Sequence, residues 1–276
     1  MNSPTIGIIG GAGWLGRSLA KALLATGFVA PEALLLSSRS APSPLAGVAM
    51  TCDNAELVRR SDVVVLSVRP QDLPAVQIEV GGKLLISLVA GASMHDLKAH
   101  VKGLRVVRAM PNAALEQRCA YTPWLASAEV DAPGKDFVQR LFQTCGQADE
   151  VFSEQQLNYL TGLSGTGPAY PALLAQALFN SALRQGLPEP IARRAVMGVV
   201  QASQLIGQPQ PFQALLEVLI GYRGVTAAGL EAMRAAGFET LIEEGLACAA
   251  QVAGCALFSF KPAEFCEGRT APVDRS

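Results

Sequence analysis

The sequence predicts an α/β domain with a mostly parallel sheet, followed by an all-helical domain. Up to about residue 150, short β-branched, apolar runs alternate with segments in which apolar residues recur at helical spacing. This alternation indicates βαβ units and a parallel sheet. From about residue 153 the β-branched runs nearly disappear, while the helical spacing continues. We therefore expect domains at 1–152 and 153–276, and a composition that is 50% hydrophobic is sufficient to bury a core.

Apolar runs predict the strands of the first domain, and they cover residues 6–9, 34–36, 48–51, 63–68, 84–89, 104–108 and 120–125. After the first run, Leu15, Leu19 and Leu23 fall on one face of a helix. In the second domain, glycine and proline separate helices predicted over residues 154–163, 168–184, 188–205, 212–219, 226–236 and 238–253. The polar segment 262–276 is expected to form a frayed C-terminal tail.

Charge and cysteine usage exclude several classes of function. Lys plus Arg number 22 and Asp plus Glu number 23, so the formal net charge is −1 and neither a nucleic acid nor a membrane is expected as a partner. The six cysteines form no C-x-x-C pair, and neither histidine follows them at metal-ligand spacing. We expect reduced thiols and no metal site. The first residues lack the basic start of a signal peptide, and the apolar stretch 246–260 is too short to span a bilayer, so a cytoplasmic location is expected.

A glycine-rich loop follows the first predicted strand and opens the first helix. Gly11, Gly13 and Gly16 form the pattern G-x-G-x-x-G. In this pattern the first glycine permits a tight turn, the second lets a pyrophosphate approach the backbone, and the third lets the helix pack closely. The free N–H groups of the helix start then bind the phosphates. We therefore predict a Rossmann dinucleotide site that uses the whole loop, namely Gly11, Ala12, Gly13, Trp14, Leu15 and Gly16.

The residues that end the second predicted strand distinguish between the two nicotinamide dinucleotides. NAD-binding domains usually place an Asp or Glu here to bind the ribose 2′-hydroxyl. This chain instead has Ser37, Ser38 and Arg39. The hydroxyls and the guanidinium suit a 2′-phosphate, and no acid stands at this strand end to repel it. The pattern predicts a preference for NADP(H), with NAD(H) as the alternative cofactor.

Several ordered motifs resemble those of one enzyme family. They are the glycine loop at 6–16, the strand and Arg-Pro-Gln turn at 61–71, the strand ending in Ala-Gly at 86–91, the Val-Arg-Ala-Met-Pro-Asn run at 107–112, the Leu-Ser-Gly-Thr-Gly-Pro-Ala-Tyr run at 163–170, and the Gly-Val-Thr-Ala-Ala-Gly-Leu run at 224–230. Through these motifs the chain resembles the pyrroline-5-carboxylate reductases from about residue 5 to residue 255.

The resemblance implies an architecture and a reaction. The fold would be an N-terminal Rossmann domain and a C-terminal helical domain through which two subunits form a homodimer, with a larger ring of dimers as a further assembly. The reaction would be NAD(P)H-dependent reduction of the cyclic imine 1-pyrroline-5-carboxylate to L-proline. The partner would thus be a small cyclic imino acid, and hydride would pass from the nicotinamide to the imine carbon.

The resemblance also implies roles for individual residues. The hydroxyl of Thr226 would orient and polarise the imine nitrogen while water supplies the proton; an ordinary helix cap is the alternative role for this residue. The helix start at this point offers N–H groups to the substrate carboxylate. The implied substrate-binding residues are Ser164, Arg223, Gly224, Val225 and Thr226. The further cofactor-binding residues are Asn54, Val68, Arg69, Pro70, Ala90, Gly91 and Asn112.

The chain departs from the family in the loop expected to touch the substrate. The family has Ser-Pro-Gly-Gly where residues 221–224 read Gly-Tyr-Arg-Gly, and it usually has Lys where Arg69 stands. This loop leaves open a reductase that acts on another cyclic imine. A non-catalytic NADP(H)-binding regulatory protein is a third interpretation. The β-hydroxyacid dehydrogenases are disfavoured, because the positions of their catalytic Lys and Asn hold Pro171 and Ala175.

Overall fold

The computed structural model of the chain describes residues 4–39, 45–167, 169–203 and 212–254. The predicted tail at 262–276 therefore lies outside the described residues, as does the end of the helix predicted over 188–205. The described residues form two compact units, one of residues up to 165 together with 248–254 and the other of residues from 166 to 247. The predicted domain boundary between residues 152 and 153 stays a prediction.

The first unit is built on one sheet. Its described strands are β1 (Ile6–Ile9), β2 (Leu34–Ser37), β3 (Ala49–Thr51), β4 (Val63–Leu66), β5 (Leu84–Ser87), β6 (Val106–Ala109), β7 (Ala120–Ala126) and β8 (Gly146–Glu150). Their order is β3-β2-β1-β4-β5-β6-β7-β8, and every pair is parallel except β6 with β7. The prediction of a mostly parallel α/β sheet is confirmed.

Helices cover both faces of this sheet. They are α1 (Trp14–Ala25), α2 (Asn54–Arg60), α3 (Met94–Val101) and α4 (Ala132–Gln143). Because successive strand residues point to opposite faces, Ile8 and Val65 pack in one buried cluster with residues of α1 and α4, while Ile9 and Val64 pack in another with residues of α2 and α3. Both faces are therefore apolar, which explains why β1, β2, β4, β5 and β6 read as short continuous hydrophobic runs.

The remaining elements are helical. They are α5 (Glu154–Leu160), a π-helical turn (Thr161–Gly165), α6 (Ala169–Arg184), α7 (Glu189–Ala202), α8 (Phe212–Gly221), α9 (Val225–Ala235) and α10 (Phe238–Gly254). The prediction of a helical C-terminal part is confirmed. None of the helices in the described residues has the length and apolar character needed to cross a membrane.

The structure adds one strand that was not predicted and shortens two that were. The strand β8, with the sequence GQADE, is polar at three of its five positions and carries no apolar run from which a strand would be predicted. The predicted runs 63–68 and 84–89 end earlier as strands, at Leu66 and Ser87. The residues that follow these two strands lie in loops, and Ser67, Val68 and Leu88 of those loops line a cavity at the strand ends.

Candidate active site

A cavity of about 680 Å³ lies in the first unit, beside the ends of β1, β2, β4 and β5. The strand β1 lies between β2 and β4. From β1 the chain runs to β2 and β3 on one side, and it then crosses to β4 on the other side. Such a reversal opens a crevice at the carboxyl ends of parallel strands, where ligands bind in this class of fold. The predicted cofactor residues that line the cavity are Gly13, Trp14, Leu15, Ser37, Ser38, Arg39, Asn54, Val68, Arg69, Pro70 and Ala90.

The tight turn after β1 is made by Gly10, one residue before the glycine to which the G-x-G-x-x-G pattern assigns it. Gly10 has φ +81°, and its N–H and that of Gly11 both donate to the carbonyl oxygen of Ser37, at 3.1 and 3.0 Å. A Cβ on Gly10 would lie 2.5 Å from the carbonyl oxygen of Ser67. Only glycine therefore satisfies both the left-handed backbone and the contact with the chain after β4.

The helix start beside this turn offers unused backbone donors. Gly13 is the N-cap residue of α1. Among the described residues no side chain caps this helix start, and its first turn contains no acidic residue. The first turn of a helix carries free N–H groups and a partial positive charge. A Cβ on Gly16 would lie 2.7 Å from the carbonyl oxygen of Gly10, so the third glycine does allow close packing of α1 on the turn. This arrangement suits a pyrophosphate.

Ser37 and Asn54 form a polar contact at the end of β2. The buried Ser37 hydroxyl donates to Oδ1 of Asn54 at 2.6 Å. The side chain that caps α2 is that of Asp53, whose Oδ1 accepts from the Ala55 N–H at 2.8 Å. Asn54 is therefore not the cap of its helix, and the serine orients its amide at the cavity.

Two arginines and one carboxylate stand together on the wall of the cavity. The Nε of Arg69 donates to Oδ2 of Asp72 at 3.1 Å, and Nη2 of Arg39 lies 3.5 Å from Oδ1 of the same carboxylate. Asp72 was not predicted from the sequence. It belongs to the turn after β4, which the sheet order places across β1 from the end of β2.

The cavity also contains residues that sequence reasoning did not select. They are Ile9, Gly10, Cys52, Ser67, Asp72, Ala75, Val76 and Leu88. The Ser67 hydroxyl oxygen is buried, and within the described ranges it has no hydrogen-bond partner. An unpaired buried hydroxyl is costly, so a bound ligand would offer it a partner. With the glycine turn and the uncapped helix start, this orphaned group shows that the residues present fit a dinucleotide.

Five predicted cofactor residues do not line the cavity, namely Gly11, Ala12, Gly16, Gly91 and Asn112. Gly91 has φ +72° and follows Ala90, which does line it. The Asn112 side chain caps the short 3-10 helix Ala113–Leu115, with its Oδ1 accepting from the Ala114 N–H at 3.0 Å. Among the residues that the structure covers, no three His, Cys, Asp or Glu side chains are grouped as metal ligands would be.

The predicted substrate residues divide between the two units. Ser164 belongs to the first unit, and its hydroxyl donates to the carbonyl oxygen of Leu160 at 2.8 Å. Arg223, Gly224, Val225 and Thr226 belong to the second unit.

The loop before α9 has an unusual backbone. Arg223 adopts φ +47° and Gly224 adopts φ +133°, a conformation open to glycine and strained for other residues. Helix α9 then begins at Val225, with the N–H of Ala228 donating to the Gly224 carbonyl oxygen at 3.0 Å. No side chain of the described chain caps this helix start, and Thr226 lies exposed in its first turn. The loop therefore presents backbone N–H groups and a hydroxyl at one point, which suits a carboxylate ligand.

Comparison with known proteins agrees with this arrangement. Residues 154–254 match the family model for pyrroline-5-carboxylate reductase dimerisation, and residues 5–91 match that for coenzyme F420-dependent NADP oxidoreductases. A pyrroline-5-carboxylate reductase from Pseudomonas aeruginosa is 33% identical over 91% of this chain and 96% of its own length.

Solved structures show the same likeness. A pyrroline-5-carboxylate reductase from Coxiella burnetii superimposes with a TM-score of 0.81 at 27% identity, covering 91% of this chain and 98% of that one. A pyrroline carboxylate reductase from Plasmodium falciparum, solved with NADP bound, shares the fold with a TM-score of 0.77 at 24% identity, over 92% and 98% of the two chains. The glycine turn, the cavity at the strand ends and the matching helical region thus lead to one assignment: the chain belongs to the pyrroline-5-carboxylate reductase family.

Proposed function

We propose that this protein is an NADPH-dependent reductase that converts the cyclic imine 1-pyrroline-5-carboxylate to L-proline. The observation that carries the proposal is the cavity at the ends of β1, β2 and β4. It gathers the glycine turn, the Ser37–Asn54 pair and Arg39 around one volume of about 680 Å³. Membership of the family supports the choice of reaction.

The chain's own residues would hold the two ends of the cofactor. The N–H groups at the start of α1, beside Gly13, would bind the pyrophosphate. Arg39, at the end of β2, would bind the 2′-phosphate, since a guanidinium makes strong bidentate contacts with phosphate oxygens. The match of residues 5–91 to an NADP oxidoreductase model supports this assignment. Replacing Arg39 by Ala should lower the ratio of kcat/KM for NADPH to that for NADH, and an unchanged ratio would refute the role of this guanidinium.

Ser67, Val68 and Ala90 would lie along the remainder of the cofactor, because they line the same cavity. Gly11, Ala12, Gly16, Gly91 and Asn112 remain part of the proposed site as residues that shape its loops. When bound, the reduced nicotinamide supplies the hydride.

The second unit would supply substrate recognition. The N–H groups at the start of α9 would bind the substrate carboxylate, and the Thr226 hydroxyl would donate to the imine nitrogen. As the imine carbon accepts hydride, electron density moves onto this nitrogen, and the hydroxyl stabilises it. A threonine hydroxyl is a poor acid, so water supplies the proton that completes the amine. Ser164 is proposed as a further substrate contact.

A second candidate function is favoured by the loop before α9. Tyr222 is 79% exposed, and Arg223 holds a left-handed backbone conformation where the family has a small residue. The Arg223 cation would suit an imine with an additional acidic group, and the Tyr222 side chain would reshape the pocket for an imine of different ring size. The proposal is therefore tested with three substrates side by side, namely pyrroline-5-carboxylate, its six-membered homologue and pyrroline-2-carboxylate.

The assay measures the oxidation of NADPH by the purified protein, as the loss of absorbance of the reduced nicotinamide. Turnover that is fastest with pyrroline-5-carboxylate supports the proposed function. Preference for another imine refutes that substrate and assigns specificity to residues 222–223. Binding of NADPH without turnover of any imine would instead support a regulatory protein.

We propose further that the protein works as a homodimer through its helical part, residues 153–276, with 1–152 as the cofactor domain. The match of residues 154–254 to a dimerisation model supports this. Large apolar side chains in the helices are exposed in the single chain, among them Leu173 (70%), Phe212 (71%) and Leu241 (65%). Exposed apolar surface of this kind is typical of a protein interface. Light scattering would test both the dimer and the larger ring of dimers.

A cytoplasmic location is also proposed. The described cysteines, Cys52, Cys119, Cys145 and Cys248, are all free, in agreement with a reducing compartment. Fractionation of cells that express the full chain would test this location.

A further inference from the structure

The carboxylate of Asp72 lies between the two arginines of the cofactor cavity. One oxygen, Oδ2, accepts from Nε of Arg69 at 3.1 Å, and the other, Oδ1, faces Nη2 of Arg39 at 3.5 Å. Arg39 comes from the end of β2, whereas Arg69 and Asp72 come from the turn after β4. One acidic group therefore connects two elements on opposite sides of the crevice.

Burial distinguishes the acid from the two bases. The Asp72 side chain is 24% exposed, while those of Arg39 and Arg69 are 78% and 69% exposed. The carboxylate is thus the best-fixed member of the group, and all three residues line the same cavity. The net charge of the group is +1, from two guanidiniums and one carboxylate.

We propose that Asp72 helps to determine the cofactor preference of this enzyme, because its negative charge weakens binding of the 2′-phosphate and so reduces the selectivity for NADPH over NADH. This inference rests on the proposed function, and it adds a residue that determines specificity. A 2′-phosphate bound by Arg39 carries close to two negative charges. It would lie beside a carboxylate oxygen that is already 3.5 Å from Nη2 of the same guanidinium. The ribose 2′-hydroxyl of NADH has no charge to repel, and it can donate a hydrogen bond to a carboxylate.

Asp72 therefore supplies the acid that the end of β2 lacks. NAD-binding domains carry this acid at the end of their second strand, whereas here it approaches from the turn after β4. Arg39 favours NADPH and Asp72 opposes it, so the cofactor preference of the enzyme is the difference between the two effects.

The size of the effect follows from the charges. At about 5 Å in a water-like medium, two unit charges change an equilibrium constant about fourfold. The phosphate carries more than one charge, while salt screens part of the interaction. We therefore expect removal of the Asp72 charge to raise the ratio of affinities for NADP⁺ over NAD⁺ about fivefold.

The test compares Asp72→Asn with the wild type. The amide keeps the size of the side chain and an oxygen acceptor for the guanidiniums, and it removes the charge. Dissociation constants for NADP⁺ and NAD⁺ are measured by calorimetry on the purified full chain, together with kcat/KM for NADPH and NADH. Asp62→Asn is the matched control, because Asp62 precedes β4 at the opposite end of the strand and accepts from the Thr5 N–H at 2.8 Å.

The proposal expects a higher NADP⁺/NAD⁺ affinity ratio in Asp72→Asn and an unchanged ratio in Asp62→Asn. Asp72→Glu, which keeps the charge, should stay near the wild type. A ratio that falls in Asp72→Asn would mean that the carboxylate positions the arginines for the phosphate, and this result would overturn the proposal. An equal rise in Asp72→Glu would also overturn it, since charge would then not be the cause.

The same measurements separate this inference from the function beneath it. A wild-type protein that binds neither dinucleotide refutes the proposed function and this inference together. A wild-type protein that binds NADP⁺ and reduces an imine, with no rise in the ratio for Asp72→Asn, refutes this inference alone.

Discussion

The buried guanidinium of Arg108 allows a prediction about stability. The Arg108 side chain is 3% exposed, and its Nη1 donates to Oε1 of Glu154 at 2.8 Å. The same Oε1 accepts from the backbone N–H of Met94 at 2.5 Å. Burial lowers the pKa of the Arg108 guanidinium, and the Glu154 carboxylate opposes this effect. Glu154 thus joins the start of α5 to β6 and to the first residue of α3, and Glu154→Ala removes both bonds at once.

The expected loss of stability follows from these two contacts. Removing one partner of a fully buried pair costs about 3–5 kcal/mol, because the other charge is left without compensation. Glu154 is itself 40% exposed, so water can partly replace its carboxylate and reduces this value. A lost hydrogen bond to the Met94 N–H adds about 1 kcal/mol. We therefore expect Glu154→Ala to lower the free energy of unfolding by about 2–3 kcal/mol.

Urea unfolding at one fixed protein concentration measures this loss, since association would otherwise shift the midpoint. Glu116→Ala is the matched control, because its pair with Lys21 is long, at 3.4 Å, and exposed on both sides. That pair should contribute less than about 1 kcal/mol. If the two variants unfolded at the same midpoint with the same slope, the reasoning from burial at Arg108 would be refuted.

Three more predictions concern reactive groups. Thr226→Ala should lower kcat/KM for the imine about 100-fold, since a hydrogen-bond donor to the imine nitrogen is lost. Thr226→Ser keeps the hydroxyl and should retain most activity. Full activity in the alanine variant would exclude the hydroxyl from the reaction. Cys52 is exposed and lines the cavity, so NADP⁺ should slow its alkylation by N-ethylmaleimide and leave that of exposed Cys119 unchanged, as peptide mass analysis would show. Burial raises the pKa of the Cys145 thiol, so the folded state holds its proton longer than the unfolded state. The free energy of unfolding should therefore fall as pH rises above about 8.5. Urea titrations at several pH values would measure this, and an equally steep fall for Cys145→Ala would contradict the prediction.

Much of the first unit could be predicted from residues alone. Strands covered by helices on both faces must be apolar throughout, so β1, β4 and β5 are visible as runs. The strand β8 lies at the edge of the sheet, where polar residues are tolerated. Its sequence therefore contains no apolar run that would predict a strand. The turn glycine was misplaced by one residue, because a pattern of spaced glycines does not show which of them has φ > 0. The +81° of Gly10 follows from contacts with the chain after β4, and sequence spacing does not contain that information.

The cavity was predicted in part for a related reason. The glycine loop and the end of β2 are local features. Gly13, Trp14 and Leu15 of the loop line the cavity, as do the residues that end β2. Asp72 is 33 residues from Arg39 along the chain, since 72 − 39 = 33, and the two meet because β2 and β4 both neighbour β1. If the order of the strands had been predicted, Asp72 would have been expected near the end of β2. The substrate residues remain predictions, because Ser164 and Thr226 belong to different compact units.

The edges of the sheet have a consequence for how copies of this chain recognise one another. At one end β3 contains three residues, and at the other β8 ends in Asp149 and Glu150, with Glu150 paired to Lys135 at 2.5 Å. A short strand and a charged strand are poor templates for the backbone of a neighbouring molecule. Concentrated protein should therefore resist growth into fibrils by strand addition. Because the sheet edges already prevent this misassembly, the apolar surfaces of the helices are free to evolve toward contact with a partner subunit.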